Sequence, residues 1–527
     1  MVRHARSAPH IVVVAALVFL LVGVGMAAGV GQQEPTAVQE ISLTYWVPLN
    51  ANPAATAKDF NDVPFFQELE KRTGVKVDYI HPPAGQDTEQ FNLMVASGDL
   101  PDIVERTWAR YPGGPLKAIA DGVIIDHTEL ITEHAPNLVK YLQANPAIQK
   151  MVSTDDSKYY TFPFIYGDDF LLVYYGLQIR QDWLQELHLA VPETIDDWYA
   201  VLKAFREKKN VPHPFSYVER TGGLESSDAF ISAYGVRRSF YLDGGKVLYG
   251  AIEPGYRQFL ATFAKWFTEG LLDKDFAAQD DKTFDAKVTS DEAGAWVGYA
   301  GSHLLRYLQL MAEKNPRFDI VGAPNPVLLK GEKPFCGQRD NAYPGSTSAS
   351  ITTKNRYPQQ SAEWLDYAYG EEGHMLFNFG IEGVSYTVID GYPTYTAAVM
   401  KNPDGLSVGQ AMAKWSHASY GGPCVRDRRY FEQYVSYPQQ LEAVRIWSNT
   451  DAALHRLPPT TLSPEESSQY ANIMNQVNTF MKEWFLKFVM NQKPLEEFDA
   501  YVAELNKMGI QQAIAVQQAA LDRYNRR

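Results

Sequence analysis

Hydrophobic and polar positions alternate along the segment 41–46, which is also rich in β-branched residues and predicts a first β-strand, and two further short segments at 75–80 and 101–105 predict a second and a third. The first intervening segment, "VPFFQELEKRTG", has a helical pattern, with Pro64 suited to a first turn and Gly74 to a helix end. The second, "DTEQFNLMVASG", is a helix that ends at Gly98. Strand, helix, strand, helix, strand indicates parallel β-α-β units, which bind ligands at the carboxyl ends of the strands. The strand segments are "ISLTYW" at 41–46, "VKVDYI" at 75–80 and "PDIVE" at 101–105.

Helical patterns dominate the rest of the chain. In "VPETIDDWYAVLKAFREKKN", Thr194 stands three residues before Asp197, which is close to a capping box, and an apolar stripe follows at Trp198, Leu202 and Phe205. Three further helices are predicted from "SSQYANIMNQVNTFMKEWFLKFVMN" to the last residue. The sequence therefore predicts an α/β protein with a helical C-terminus.

Several aromatic and acidic residues follow predicted strands, where a cleft is expected. Trp46 closes the first strand, Trp108 follows the third, and Tyr166 and Asp168 lie beyond another extended segment. "AGAWVGYAGSHLLRYLQLMAEK" predicts a strand, a loop and a helix that begins near Ser302; we expect Trp296 and Tyr299 in the loop.

The acidic stretch "VASGDLPDIVERTW" has the residues of a turn and a strand. Asp99 suits the turn after Gly98, and Asp102 and Glu105 flank the buried "IV". The three carboxylates are therefore spread along the chain, and we assign them to the fold and to the rim of the expected cleft. Trp108, in contrast, is expected to touch a ligand.

The N-terminal segment has the order of a secretory signal peptide. A basic start precedes an apolar run over 11–24, and small residues follow. The run of about 14 residues is short for a membrane span, which needs about 20. We expect a signal peptide at 1–27, a linker at 28–37 and a periplasmic protein, or one held at the membrane by an uncleaved signal. No cysteine near this signal could carry a lipid anchor.

Charge and cysteine content limit the partners. The formal net charge of −14 argues against a nucleic-acid partner. The two cysteines, Cys336 and Cys424, could form a disulfide, which over so long a loop would stabilise by about 4–5 kcal/mol, or they could be two buried free thiols.

Motifs of catalysis and metal binding are absent from the sequence. It has no H-E-x-x-H, G-x-x-x-x-G-K-[ST], G-x-S-x-G or paired C-x-x-C, and the acidic run at 273–292 lacks the spacing of an EF-hand. We therefore expect no cofactor, no metal and no enzymatic activity, although paired carboxylates of a glycoside hydrolase would be spatial and not sequential.

Ordered motifs along the mature chain resemble the family 1 extracellular solute-binding proteins of ABC transporters. "LMVASGDLPDIV" carries the closest similarity, and the long subgroup associated with aldouronates and other oligosaccharides fits best. Ser157 and His188 stand where that subgroup usually has glycine, so a positive φ there would cost about 1 kcal/mol each. Further matching segments are "DDSKYYTFPF", "IRQDWLQELHLAVPETIDDWYAVLKAF", "WLDYAYGEEG", "NFGIEGVSYT" and "LNKMGIQQAIAVQQAALDRYN".

The resemblance implies a two-lobe periplasmic-binding-protein fold (type II-like), with a hinge and a ligand cleft between the lobes. Lobe one would comprise 38–172 and 326–400, and lobe two 173–325 and 401–527. Closure around a carbohydrate would present both lobes to a membrane permease. We expect a monomer.

Sugar rings have apolar faces that pack on aromatic side chains and hydroxyl rims that need polar partners. Arg106, Arg110 and Arg339 lie near predicted cleft loops and could bind an acidic sugar, or could be surface residues. The candidate ligand-binding residues are Trp46, Trp108, Tyr166, Asp168, Trp296, Tyr299, Tyr343 and Trp415.

Two other functions are compatible with the sequence. A secreted carbohydrate-active enzyme would need two acids about 5–10 Å apart across the cleft. A receptor that informs a sensor without transport would have the same binding residues, and a peptide is an alternative ligand.

Overall fold

The computed structural model describes residues 41–218, 227–435 and 437–527. The expected signal peptide and linker lie outside these residues. The strands are β1 Ser42–Trp46, β2 Lys76–Ile80, β3 Ile103–Arg106, β4 Ile165–Tyr166, β5 Tyr175–Arg180, β6 His213–Ser216, β7 Phe240–Asp243, β8 Lys246–Tyr249, β9 Ala293–Tyr299, β10 Ile320–Gly322, β11 Ser348–Ile351, β12 Tyr386–Ile389, β13 Tyr392–Tyr395 and β14 Val425–Arg426.

The α-helices of the described residues surround these strands and extend the C-terminal part of the chain. They are Ala51–Ala54, Pro64–Thr73, Asp87–Ser97, Gly114–Ala120, Thr128–His134, Pro136–Ala144, Pro146–Val152, Gln181–Glu186, Ile195–Lys208, Pro254–Thr268, Asp281–Thr289, Arg306–Met311, Pro358–Asp366, Glu371–Phe379, Ala397–Met400, Val408–Trp415, Arg428–Tyr434, Pro438–Ser448, Ala452–His455, Pro464–Val489, Phe498–Lys507 and Ile510–Arg526.

The first sheet has the strand order β11-β3-β1-β2. β1 pairs in parallel with β2 and with β3, and β11 runs antiparallel to β3. The helices between β1, β2 and β3 end at Gly74 and Gly98, whose φ values of 70° and 72° reverse the chain. The predicted β-α-β units are confirmed. Asp102 fixes the third strand, because its carboxylate accepts hydrogen bonds from the Thr44 amide and hydroxyl, each at 2.8 Å.

The second sheet has the order β10-β5-β9-β6. β9 is parallel to β6 and antiparallel to β5, and β5 is antiparallel to β10. The helix Ile195–Lys208 begins with the predicted capping box of Thr194 and Asp197. The helix Pro464–Val489 packs on Pro254–Thr268, where the rings of Phe259 and Phe485 stack.

The chain passes between the two sheets three times. The chain runs towards the second sheet after β4, back to the first sheet between β10 and β11, and towards the second sheet again after β14. The helix Val408–Trp415 packs on Pro64–Thr73, beside the first sheet, whereas Pro438–Ser448 packs on β10 of the second sheet.

Two local expectations are tested by the backbone. Ser157 and His188 have φ values of 59° and 55°, so both adopt the left-handed conformation that glycine prefers. The prediction that Trp296 and Tyr299 lie in a loop is wrong, because β9 extends to Tyr299. Trp296 is a fully buried strand residue. Its indole donates a 2.8 Å hydrogen bond to Gln178 Oε1, which satisfies its polar atom inside the core.

Cys336 and Cys424 are buried free thiols and form no disulfide with each other. Burial raises the pKa of both thiols, so they are uncharged at neutral pH. Of the two alternatives left by the sequence, the structure contains the free thiols. Among the described residues, no helix combines the length and the apolar character needed to cross a bilayer.

Trp447 attaches the helix Pro438–Ser448 to the second sheet. Its indole donates to the Leu177 carbonyl at 3.1 Å, and its ring lies so close to Gly176 that a Cβ there would approach it to 2.6 Å. The Trp447→Ala variant should therefore lose about 3–5 kcal/mol of unfolding free energy. Urea denaturation measures this loss. Leu441→Ala on the same helix, at a residue 41% exposed, is the control and should change stability by less than about 0.5 kcal/mol.

His127 predicts a pH dependence of stability. It is fully buried, and its Nε2 accepts a 2.7 Å hydrogen bond from the Ile351 amide, so the folded state holds it neutral. Burial lowers its pKa from 6.5 to about 4. Between these values the unfolded chain binds a proton that the folded chain does not. The contribution of neutral His127 to the free energy of unfolding is therefore fully present above pH 6.5. It is lost as the pH falls towards 4, by about 3 kcal/mol.

Urea denaturation at pH 7 and pH 4.5 measures this loss. The His127→Gln variant, which keeps an acceptor, should lose less stability on acidification than the wild type. His188→Gln, at an exposed histidine, should leave the wild-type dependence unchanged. An equal acid dependence in His127→Gln and the wild type would contradict the assignment.

Candidate functional site

A cavity of about 310 Å³ lies where the three connections between the sheets meet. Its size is at the lower end of the range for small-molecule sites. Aromatic and hydroxyl side chains dominate its walls, with one arginine. The lining residues are Asn52, Phe164, Tyr166, Leu171, Tyr174, Tyr299, Gly301, Ser302, Ser346, Thr347, Gly409, Met412, Ser419, Tyr420, Arg426, Tyr430, Phe431 and Tyr434.

A stack of rings forms one wall. Tyr174 and Tyr299 lie nearly parallel, with centroids 6.0 Å apart, and His303 also stacks with Tyr299, at 5.5 Å. The Tyr174 hydroxyl donates to Asp340 Oδ2 at 2.6 Å, which fixes the ring. The Tyr299 amide donates to His303 Nδ1 at 2.9 Å. Burial and the nearby Arg306 lower the pKa of His303 to about 4, so the imidazole is neutral at pH 7.

The chain enters a π-helical segment, Ala300–Leu305, directly after β9. π-Helical segments are rare in proteins overall, and those that occur are often found at functional sites. Gly301 in this segment packs against the ring of Tyr434, and a methyl group at this position would overlap that ring. The glycine therefore allows Tyr434 to form part of the cavity wall.

Arg426 lies in β14 and faces the rings of the cavity. Its guanidinium carbon is 5.1–5.5 Å from the ring centroids of Phe164, Tyr166 and Tyr430. Its Nη2 donates to the Ser419 carbonyl at 3.0 Å and to the Tyr430 hydroxyl. The pairing of β14 with β4 places Arg426 beside Tyr166.

Four buried polar atoms of the lining have no hydrogen-bond partner: Thr347 Oγ1, Ser419 Oγ, the Tyr420 hydroxyl and Arg426 Nε. Buried polar atoms are usually satisfied, because leaving one unpaired costs about 1–3 kcal/mol. Their concentration at one cavity provides donors and acceptors for a polar ligand.

Glu105, a residue of β3, holds the cavity segment from the first sheet. Its buried carboxylate accepts hydrogen bonds from the Tyr45 hydroxyl at 2.8 Å and from the Gly422 amide at 3.1 Å. His417 Nε2 lies 3.7 Å away. The fold role inferred for this acid is thus seen directly, because Glu105 positions the loop that carries Ser419 and Tyr420.

Of the eight residues predicted to bind a ligand, Tyr166 and Tyr299 line the cavity. Trp46, Trp108, Trp296 and Tyr343 are buried in the protein core, outside the cavity lining. Trp108 packs edge-on against Phe91, and the Tyr343 hydroxyl bonds to that of Tyr160 at 2.8 Å. These side chains lie on inward faces, where apolar burial holds them.

The other two candidates also lie outside the lining. Asp168 accepts a 2.7 Å hydrogen bond from the Phe170 amide and caps a short helix. Trp415 is half-buried beside Lys414. Among the arginines considered, Arg106 stacks on Phe91 at 3.4 Å, and Arg339 pairs with Asp169 at 3.3 Å; neither lines the cavity.

The strongest contributors missed in the sequence come from the segment 418–437, "ASYGGPCVRDRRYFEQYVSY". It supplies Ser419, Tyr420, Arg426, Tyr430, Phe431 and Tyr434 to the cavity. Its density of aromatic residues around two glycines is the signal that could have identified it, since connecting segments often carry binding residues.

Comparison with known proteins identifies the family. Residues 43–375 match the bacterial extracellular solute-binding proteins. The chain belongs to this family. Relatives of the binding protein include the fructooligosaccharide ABC transporter substrate-binding protein FusA of Streptococcus pneumoniae serotype 4, which is 24% identical over 502 residues covering 90% of each chain.

A second relative is the polygalacturonan/rhamnogalacturonan-binding protein YtcQ of Bacillus subtilis. It is 25% identical over 332 residues, which cover 61% of this chain and 63% of YtcQ. Among solved structures, the alginate-binding protein AlgQ2 superimposes with a TM-score of 0.76 at 23% identity, covering 92% of this chain and 98% of AlgQ2. The predicted two-lobe binding-protein fold is confirmed.

The contact between Gly301 and Tyr434 yields a test of the cavity wall. Gly301→Ala should destabilise the binding protein by about 1–3 kcal/mol, because the added methyl group displaces the Tyr434 ring. In the double variant with Tyr434→Ala this overlap is absent, so the combined loss should be smaller than the sum of the single losses. Urea denaturation of the four proteins measures this coupling, and strict additivity would contradict the packing.

Proposed function

We propose that this protein captures an oligosaccharide in the cavity between its two sheets and delivers it to the permease of an ABC transporter. One observation carries the proposal: rings and unpartnered polar atoms share the walls of one cavity. Aromatic faces suit the apolar faces of sugar rings, and the polar atoms suit their hydroxyls.

The relatives support the same class of ligand. FusA is named for fructooligosaccharides and YtcQ for polygalacturonan and rhamnogalacturonan. Delivery follows from the family, whose members work outside the cytoplasmic membrane. We propose export through the segment 1–27 and a monomeric protein.

The connections between the sheets support hinge closure. Three segments meet at the cavity, so rotation of one lobe against the other would open or close it. We propose lobes with the expected boundaries, except that 401–435 joins lobe one because Val408–Trp415 packs on Pro64–Thr73.

A glycoside hydrolase is the alternative within carbohydrate chemistry. It needs two carboxylates that flank the scissile bond. No Asp or Glu occurs among the described residues that line the cavity, which favours binding over hydrolysis.

Thermal denaturation of the mature protein with monosaccharides, neutral oligosaccharides, uronic-acid oligosaccharides and peptides tests the proposal. A saccharide at about 100 times its dissociation constant should stabilise the folded state by about 2.7 kcal/mol and raise Tm by several degrees. Tyr299→Ala should weaken binding about tenfold or more, because the ring forms a cavity wall.

Leu310→Ala is the matched control, since Leu310 is exposed and outside the cavity lining. It should bind the saccharide like the wild type. Stabilisation by peptides alone would contradict the proposed ligand class, and consumption of the stabilising saccharide would replace binding by catalysis.

A further inference from the structure

Arg426 is the one charged residue among the described residues that line the cavity. Its side chain makes no ion pair with any described carboxylate, although it is largely enclosed by Phe164, Tyr166 and Tyr430. A guanidinium removed from water is costly unless an anion or several acceptors replace the water. The free protein therefore holds an uncompensated positive charge at the wall of its cavity.

The partners of Arg426 account for only part of its hydrogen-bonding capacity. A guanidinium has five N–H donors. The bonds to the Ser419 carbonyl and the Tyr430 hydroxyl both run from Nη2, and Nε has no partner. The Tyr166 side chain also hydrogen-bonds to Arg426, and the ring contacts stabilise the cation. Donors thus remain for a ligand.

The carboxylates nearest along the chain or around the cavity are already engaged. Asp427 pairs with Arg429 at 2.5 Å, and Asp340 binds the Tyr174 hydroxyl and lies 3.4 Å from Arg456. Glu105 accepts hydrogen bonds from Tyr45 and Gly422. None of these acids is free to neutralise Arg426.

We propose that the ligand is an acidic oligosaccharide whose carboxylate pairs with Arg426, while its sugar rings pack on the tyrosines of the cavity. This inference rests on the proposed function and specifies its substrate class. Nη2 already donates both of its hydrogens inside the protein, so the carboxylate would accept from the remaining N–H donors. Its negative charge would neutralise the guanidinium, which a neutral sugar hydroxyl cannot do. The unpaired hydroxyls of Ser419, Thr347 and Tyr420 would bind the neutral hydroxyls of the same ligand.

Matched pairs of ligands test the charge directly. Isothermal titration of the wild-type protein would compare uronate oligosaccharides, such as trigalacturonate, with their methyl esters, which have the same rings but no charge. Because a hydrogen bond to a charged group contributes more than a neutral one, the acid should bind about 10-fold to 100-fold more tightly than its ester. This comparison needs no variant.

Substitution of the cation tests the residue. Arg426→Gln should reduce affinity for the acid about tenfold or more and bring acid and ester to similar values. Arg428→Gln, at a neighbouring exposed arginine outside the cavity lining, should keep the wild-type preference. Melting temperatures of both variants establish that they are folded before titration.

The outcomes separate this inference from the proposed function. If a neutral oligosaccharide or an ester binds as tightly as the acid, the acidic class is overturned and saccharide binding stands. The inference is likewise overturned if folded Arg426→Gln retains the preference for the acid. If peptides bind and no saccharide does, the proposed function itself fails.

Discussion

The pairing of β4 with β14 is the contact on which the cavity depends. It joins Tyr166 to Arg426, two residues far apart in the chain, in a parallel ladder of only two residues each. So short a ladder cannot be stable alone. The buried carboxylate of Glu105 supports it, because it fixes Gly422 just before β14 and the Tyr45 ring of β1 at the same time. The position of the cavity wall is therefore set by buried residues of the first sheet.

The aromatic residues divide between two uses. Most fill the two hydrophobic cores, where their large apolar area stabilises the fold. A smaller group, centred on Tyr174, Tyr299 and Tyr434, lines the cavity. Tyrosine suits this position because the ring offers an apolar face and the hydroxyl keeps a polar partner, as Tyr174 does with Asp340.

Close backbone approach is the second requirement of the site. Gly176 and Gly322 let the helix Pro438–Ser448 contact the second sheet, and Gly301 admits the Tyr434 ring to the cavity. These glycines have no common sequence motif. Each is required by a neighbour that comes from a distant part of the chain, so the local sequence around it gives no sign of its role.

Local patterns in the sequence determined the elements and the fold class. The alternation in β1, the glycines after the first two helices and the capping box at Thr194 act within a few residues, so they are legible without a structure. The sequence likewise placed Asp102 and Glu105 in the fold and indicated the positive φ of Ser157 and His188 through its family resemblance.

Only the tertiary structure decided which side chains face the cavity. A residue at the end of a strand can point into the core or into the cleft, and Trp46 and Tyr299 are both strand ends, yet the first is buried and the second lines the cavity. The aromatic-rich segment 418–437 carries a local signal, but that signal does not single out Arg426, whose contacts with Phe164 and Tyr166 come from a distant part of the chain. Secondary structure follows from neighbours in sequence, whereas a binding cavity follows from long-range contacts that position and orient each side chain.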